Sequence, residues 1–336
     1  MARILLVTDA WKGQTNGVVT TLENLVKQAK ANNDEIRVYH PGRCRWRFPL
    51  PWYREIEIAF PNQNEVEYIV TSEKWDHIHV ATPEGWVGRA FVKALRNYSI
   101  AFSASCHTKF PEFVNARAPF VKVKWGWQWM RRRYQDATKI LVPSESMKQE
   151  LEYWGFDQEI VVWSRGVDRD QFHPLESRPD NDSKILLCVS RVSHEKGLDD
   201  FCALNVPNTR KILVGDGPYL NTLKSRYPDV EFTGKKTGSD LAYYYQTADV
   251  FVFPSKADTF GVVMLESIAC GTPVAAYPVT GPIDVVKPGI NGALSENLAS
   301  AVSEAFAISH KSVYNSSLKW TWERCYAQFK ENLLDR

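Results

Sequence analysis

The chain is predicted to be a doubly wound α/β protein of two domains, and three observations lead there. Short apolar runs of strand length alternate with helix-like patterns. The alternation occurs twice, on either side of a break rich in Pro, Asp and Ser, SRGVDRDQFHPLESRPDND, residues 164–182. Length and composition, 336 residues of which 44% are hydrophobic and 24% charged, suffice for two cores and exclude a disordered chain.

The first series of strands reads as Arg3–Val7, Ile36–His40, His77–Val80, Ile100–Ser105, Lys139–Val142 and Ile160–Trp163. The second opens with KILLCVS, Lys184–Ser190, and continues through Lys211–Val214, Val230–Thr233, Val250–Phe253 and Pro273–Ala276. ADVFVFP, Ala248–Pro254, has the unbroken apolar character of a strand buried on both faces, and Val262, Val263, Leu265, Ile268 and Ala269 continue it as a buried helix. Two Rossmann-like domains follow, 1–165 and 166–312, with ligands expected at the C-terminal ends of the strands in a crevice that both domains face. The tail from Val313 to residue 336, with Trp320, Trp322, Tyr326 and Phe329, reads as a terminal helix.

A net charge of +2 excludes a global electrostatic argument, so partners must be inferred from local patches. The six cysteines, at 44, 106, 188, 202, 270 and 325, form no CxxC pair or disulfide-rich spacing, which points to reduced thiols and a cytoplasmic setting. The opening MARILLVTDAWKGQ meets Asp9 too early for a signal-peptide core, and no later run approaches the ~20 apolar residues of a membrane span. Membrane contact is therefore expected to be peripheral, at an inner face.

The chemistry concentrates in SKADTFGVVMLESIACG, residues 255–271, where Asp258 and Glu266 stand eight positions apart across a strand-to-helix junction. Thr259, Phe260 and Gly261 lie at the helix start, whose unpaired N–H groups and positive dipole end suit a phosphate. Glu266, almost two turns along, only accepts hydrogen bonds when ionised and suits a sugar diol. CVSRVSHEKGLDDF places Arg191 and Lys196 five apart in a loop after the first strand of the second domain. Arg offers bidentate contacts and Lys a point charge, a pairing suited to a diphosphate. GDGP, with Gly215 and Gly217, ends another strand and needs its glycines for a tight turn near a ligand.

ADVFVFPSKADTFGVVMLESIACGTPVAAYPVTGPIDVV resembles the donor-site segment of the retaining GT-B glycosyltransferases of family 4. That family carries Glu, seven residues, Glu; here Asp258 holds the first place, and the DTFG form is similar to the branch of mannosyl-lipid and sulfoquinovosyl-lipid transferases. The resemblance implies that Arg191 and Lys196 grip the donor diphosphate, that Glu266 holds the ribose, and that Gly234 and Lys235 border the nucleobase. It further implies that Asn16 and Gly17 form a glycine loop at the diphosphate or acceptor. His107, in SCHTKFPEF, would approach the transferred sugar with its imidazole or backbone, and Asp258 would stabilise the cationic transition state. HVATPEGWVG, residues 79–88, would border the acceptor, and the terminal helix would pack back on the first domain. Asp168-Arg169-Asp170 mimics a DxD metal motif but falls in RGVDRDQF, which resembles the family's linker, so no metal or other cofactor is expected. His77 and His79 share one strand face without a third ligand nearby and read as strand residues.

The implied activity is transfer of a hexose, mannose or glucose, from a nucleoside-diphosphate sugar to a hydroxyl acceptor, a lipid or lipid-linked glycan. Eight of the twelve Trp precede residue 130, beside two runs without acid: GRCRWRFPLPWYR, with Arg43, Arg45, Arg47 and Arg54, and residues 117–133, with six basic side chains. As a helix the second run would align Lys124, Trp127 and Arg131, and Trp127 with Arg131, Arg132 and Arg133 would dock an anionic membrane. Such runs also suit nucleic acid, so transfer onto hydroxymethylated DNA bases stays open, as do a nucleotide-sugar epimerase and a non-catalytic nucleotide-sugar-binding module.

Overall fold

The computed structural model describes residues 1–12, 16–50, 53–115, 118, 120–180 and 182–334, without the side chains of 50, 53–56 and 113. Arg117 and the Arg54 side chain, expected in the basic runs, thus lie outside the described residues. The chain divides into two compact units, one of Met1–Arg165 with Trp322–Arg336 and one of Gly166–Thr321.

The first unit runs β1 (Arg3–Val7), α1 (Gly17–Ala31), β2 (Glu35–Tyr39), β3 (Trp46–Leu50), β4 (Tyr53–Phe60), α2 (Gln63–Ser72), β5 (His77–Val80) and α3 (Trp86–Asn97). It continues through β6 (Ser103–Ser105), α4 (Phe110–Asn115), α5 (Val123–Tyr134), β7 (Lys139–Val142), α6 (Glu145–Tyr153) and β8 (Glu159–Val162). Its six-stranded parallel sheet has the order β2-β1-β5-β6-β7-β8. Side-chain alternation loads both faces: Leu5 and Val7 join one core, Ile4 and Leu6 the other. The antiparallel β3–β4 hairpin stands outside this sheet and was not anticipated, because its prolines and lack of a two-residue turn signal hide it. β6 is shorter than expected, since Ser99 at φ 54° and the Ile100 N–H on the Leu95 carbonyl close α3 where the strand was read to begin.

The second unit contains β9 (Lys184–Val189), α7 (Leu198–Cys202), β10 (Thr209–Val214), α8 (Leu220–Arg226), β11 (Glu231–Gly234), α9 (Gly238–Thr247), β12 (Val250–Phe253) and α10 (Val262–Ala269). β13 (Val274–Ala276), α11 (Pro282–Val285), β14 (Gly292–Leu294), α12 (Leu298–Ala305) and α13 (His310–Ser317) complete it. The parallel sheet has the order β11-β10-β9-β12-β13-β14, reversing direction between β9 and β12, where doubly wound sheets bind ligands.

The tail is two helices rather than one. α13 stays with the second unit, and after a Leu318–Thr321 break α14 (Trp322–Glu331) belongs to the first. There Tyr326 and Lys330 both donate to Asp34 Oδ2, at 2.7 and 2.6 Å, and Trp163 Nε1 donates to the Cys325 carbonyl. No described helix is long and apolar enough to cross a membrane.

The proposed docking helix α5 orients differently from the expectation. Trp127 is fully buried, stacked on Trp154 with centroids 5.8 Å apart, and its indole N–H donates to Glu112. Arg131 pairs with Asp157 and Arg133 lies over Trp129. The spacing that aligns Lys124, Trp127 and Arg131 cannot tell the core face of a helix from its solvent face; Trp154 and Phe156 decide it.

Candidate active site

In the second unit four neighbouring strands, β11, β10, β9 and β12, send their C-terminal loops to one edge of the sheet. Those loops carry Gly234 and Lys235, Gly215 and Gly217, Arg191 and Lys196, and Asp258 to Gly261, respectively. Backbone hydrogen bonds lace them together: Gly215 N–H to the Gly234 carbonyl, Val192 N–H to Asp216, and Tyr219 N–H to Val192, at 2.9–3.1 Å. The two glycines of GDGP are dictated by that closeness. A Cβ would lie 1.8 Å from the Ser190 oxygen at Gly215, and 2.3 Å from the Val192 oxygen at Gly217.

Both cations of the β9 loop face a carboxylate of their own unit. Lys196 Nζ lies 2.6 Å from Asp258 Oδ1, and Arg191 Nη2 lies 2.7 Å from Glu195 Oε1, which also accepts from Ser193 Oγ. Burial alone would raise the Glu195 carboxyl, but hydrogen bonds from Ser193 and its own backbone N–H, with the Arg191 charge, hold it at about 2. Asp258 thus sits beside the proposed diphosphate lysine, and its Oδ2 is buried with no hydrogen-bond partner among the described residues. A buried carboxylate oxygen in that condition is an acceptor awaiting a donor such as a hydroxyl.

α10 begins after Gly261, which lies at φ 84° and provides no side-chain cap, so the first N–H groups of the helix are left for another acceptor. Thr259 and Phe260 are buried just before it. The Phe260 ring packs edge-on to Trp320 within the core, so only its backbone can serve a ligand. Glu266 is half-buried, and its Oε2 accepts from Tyr245 Oη at 2.9 Å. Burial pushes its carboxyl up to about 7, against the lowering effect of that hydrogen bond.

In the first unit His107 follows β6 and is only 8% exposed. Arg165 Nη2 donates to its Nδ1 at 3.1 Å, and its Nε2 lies 2.7 Å from Ser105 Oγ. Since arginine only donates, Nδ1 accepts and Nε2 carries the proton. The chain continues from Ser105 Oγ to His79 Nε2 at 2.9 Å and from His79 Nδ1 to Ser103 Oγ at 2.8 Å. Burial, reinforced by the Arg165 charge, keeps His107 neutral, and burial pushes His79 down to about 3. Arg165 is itself buried, donating to the Trp163 and Ser164 carbonyls and lying 4.6 Å from the Trp163 ring centroid.

Asn16 caps α1, its side-chain oxygen accepting from Val19 N–H, and Gly17 opens that helix. Within HVATPEGWVG, the Val87 and Gly88 N–H groups donate to Asp9, and Glu84 accepts from Tyr134 Oη at 2.8 Å. Burial raises Glu84 to about 7. Asp168 Oδ1 accepts the Asp170 and Gln171 N–H groups, so it closes a turn. Among the described residues no group of three or more His, Cys, Asp or Glu is arranged to hold a metal ion, and all six cysteines are buried free thiols.

Sequence reasoning passed over Glu195, Tyr245, Arg165, Ser105 and Glu84. Glu195 had a local signal, since it stands inside SHEKG between the two cations. Tyr245 and Arg165 had none, because their partners lie 21 and 58 positions away.

Two family descriptions match consecutive stretches of the chain: "Glycosyltransferase Family 4" over residues 15–171 and "Glycosyl transferases group 1" over residues 170–309. A GDP-mannose-dependent alpha-mannosyltransferase of Corynebacterium glutamicum is 29% identical over 87% of this chain and 76% of its own length. Sulfoquinovosyl transferase SQD2 of Arabidopsis thaliana is 28% identical over 71% of this chain and 50% of its own. The alpha-monoglucosyldiacylglycerol synthase of Streptococcus pneumoniae is 25% identical over 90% of this chain and 78% of its own. In fold, a sucrose-phosphate synthase from Thermosynechococcus elongatus superposes with a TM-score of 0.80 at 18% identity, covering 98% of both chains. With two doubly wound sheets and both family descriptions in sequence along the chain, the protein is a family 4 glycosyltransferase of the GT-B fold, akin to the mannosyl- and sulfoquinovosyl-transferring branch.

Proposed function

We propose that the protein transfers a hexose, mannose first, from a nucleoside-diphosphate sugar to a hydroxyl on a lipid or lipid-linked glycan, with retention of configuration. The observation that carries this reading is the meeting of Lys196 with Asp258 just before α10, beside the Arg191 loop. The two cations and the helix N-terminus would neutralise charge developing on the departing diphosphate. Glu266 would accept from the ribose hydroxyls, and Gly234 and Lys235 would border the base. Asp258 Oδ2 would face the sugar, whose C1–O bond to phosphate breaks as the acceptor oxygen bonds to C1 on the same face. The acceptor proton passes to the departing phosphate oxygen. His107 would contact the sugar, and the engagement of both its ring nitrogens by Arg165 and Ser105 favours a backbone contact. A mannosyl donor and a lipid acceptor are supported by the names of the Corynebacterium and Streptococcus relatives.

The test is turnover with a panel of nucleotide sugars and lipid acceptors, reading product anomeric configuration by NMR. Lys196→Ala and Arg191→Ala should each lower turnover by roughly 10²–10³, the usual loss for one transition-state charge stabiliser. Activity should survive EDTA, because fixed cations already offset the leaving-group charge. Near-normal turnover in both folded variants, or loss on chelation with rescue by Mn²⁺, would sink the assignment.

A further inference from the structure

We propose that one face of the β3–β4 hairpin, with the start of α3, is a docking surface for an anionic lipid bilayer. The pleat separates the hairpin into two chemistries. Trp46 pairs with Phe60 and Phe48 with Ile58, so these four share one face, while Arg47 opposite Ala59 and Pro49 opposite Glu57 share the other. The second face is tied down by a fully buried Ala59 and an Arg47–Glu57 ion pair at 3.2 Å. The first lies in the open: Trp46 is 61% exposed, Phe48 54% and Phe60 46%. Trp86, at the first position of α3 and 46% exposed, extends the patch by packing on Phe60 with centroids 5.2 Å apart.

An aromatic patch of this kind in water needs a partner, since an isolated two-stranded hairpin has little stability of its own and contiguous exposed apolar surface marks an interaction site. Charge complementarity selects the partner. Arg43 and Arg45 are exposed beside the patch, Arg45 lies 5.9 Å from the Trp46 ring centroid, and residues 41–54 include no acid. Indoles at headgroup depth flanked by arginines match the interface of an anionic membrane. A second copy fits poorly, because a twofold contact would bring these arginines together and Pro49 denies the strand a ladder hydrogen bond. On α5, Arg131 is paired with Asp157 and Trp127, on the same helix face, is in the core.

Use of the surface in catalysis rests on the lipid-acceptor reading, but binding is tested without donor or acceptor. The full chain is sedimented with vesicles of phosphatidylcholine alone and of phosphatidylcholine with phosphatidylglycerol. The expected result is binding to the anionic vesicles and weaker binding to the neutral ones. The double variant Trp46→Ser/Phe48→Ser, both residues being exposed, should keep its circular dichroism and donor hydrolysis and lose about tenfold or more in vesicle affinity. Arg43→Gln and Arg45→Gln should each cost about fivefold at low salt and less at high salt. Arg132→Gln on α5 should leave binding near the parent value. Absence of vesicle binding, an unchanged affinity in the aromatic variant, its conversion of a dimer to a monomer, or salt-dependent DNA binding in place of vesicle binding would each overturn the proposal. Vesicle binding without hexose transfer to any lipid would retain the surface and remove the function reading.

Discussion

Burial pushes the Glu266 carboxyl up to about 7, and the hydrogen bond from Tyr245 returns only part of the shift. The sign follows directly. A carboxyl held in the folded chain at about 7, above the ordinary value of a free glutamate, costs stability as pH rises between the two, since the unfolded chain ionises first. In the proposed ribose-binding role, ligand binding would run the other way, because the ionised group is the better hydrogen-bond acceptor for hydroxyls. Donor affinity measured by calorimetry should therefore rise with pH through about 7 and level off above it. Glu266→Gln should weaken binding by about 1–3 kcal/mol and remove that pH dependence. An identical pH profile in the variant would take Glu266 out of donor binding.

Among the loops, the turn after β10 and the loop after β9 hold each other in place. Gly217→Ala would drive a Cβ against the Val192 oxygen and displace the strand of backbone that leads from Arg191 to Lys196. Gly234→Ala meets nothing within 4 Å although its φ is 74°, so it bears only the conformational penalty, about 1–2 kcal/mol. The expected contrast is a donor affinity reduced roughly tenfold or more in the first variant, by analogy with small misplacements of catalytic groups, and a much smaller change in the second. Comparable donor affinities, measured alongside denaturant unfolding, would show that the lacing between loops does not position the cations.

At the scale of the whole molecule the first unit is discontinuous in sequence, and α14 completes it. Asp34 binds the Ala2 N–H together with Tyr326 and Lys330, and Ser164 Oγ and N–H both donate to Gln328. Removing residues 322–336 would leave Asp34 without two of its donors and open the core around Trp163 and Phe329. Hydrogen exchange on the truncated chain should show lost protection in β1, α1 and β8 with the second unit's β9–β14 sheet still protected. Equal protection in both units would contradict the dependence.

What the sequence by itself determined is whatever short-range pattern encodes. Lys184–Val189 is recognisable as a strand because its apolar run is uninterrupted, and Arg191 with Lys196 is recognisable as a paired cationic loop because five positions of chain hold them together. The match of residues 248–286 to the family placed Asp258 and Glu266 at their junction before any coordinates. Tertiary structure alone decided the partners. Lys196 meets Asp258 across 62 positions because β9 and β12 are neighbours in the sheet order, and His107 receives the Arg165 guanidinium because the chain just after β8 passes beside it. It also decided which aromatics are interior: the same helical spacing would permit Trp127 to face solvent, but Trp154 and Glu112 draw it inward. The hairpin's aromatic face emerged only from its cross-strand register, since Trp46 and Phe60 are 14 positions apart and neither the turn nor the prolines between them announce the pairing.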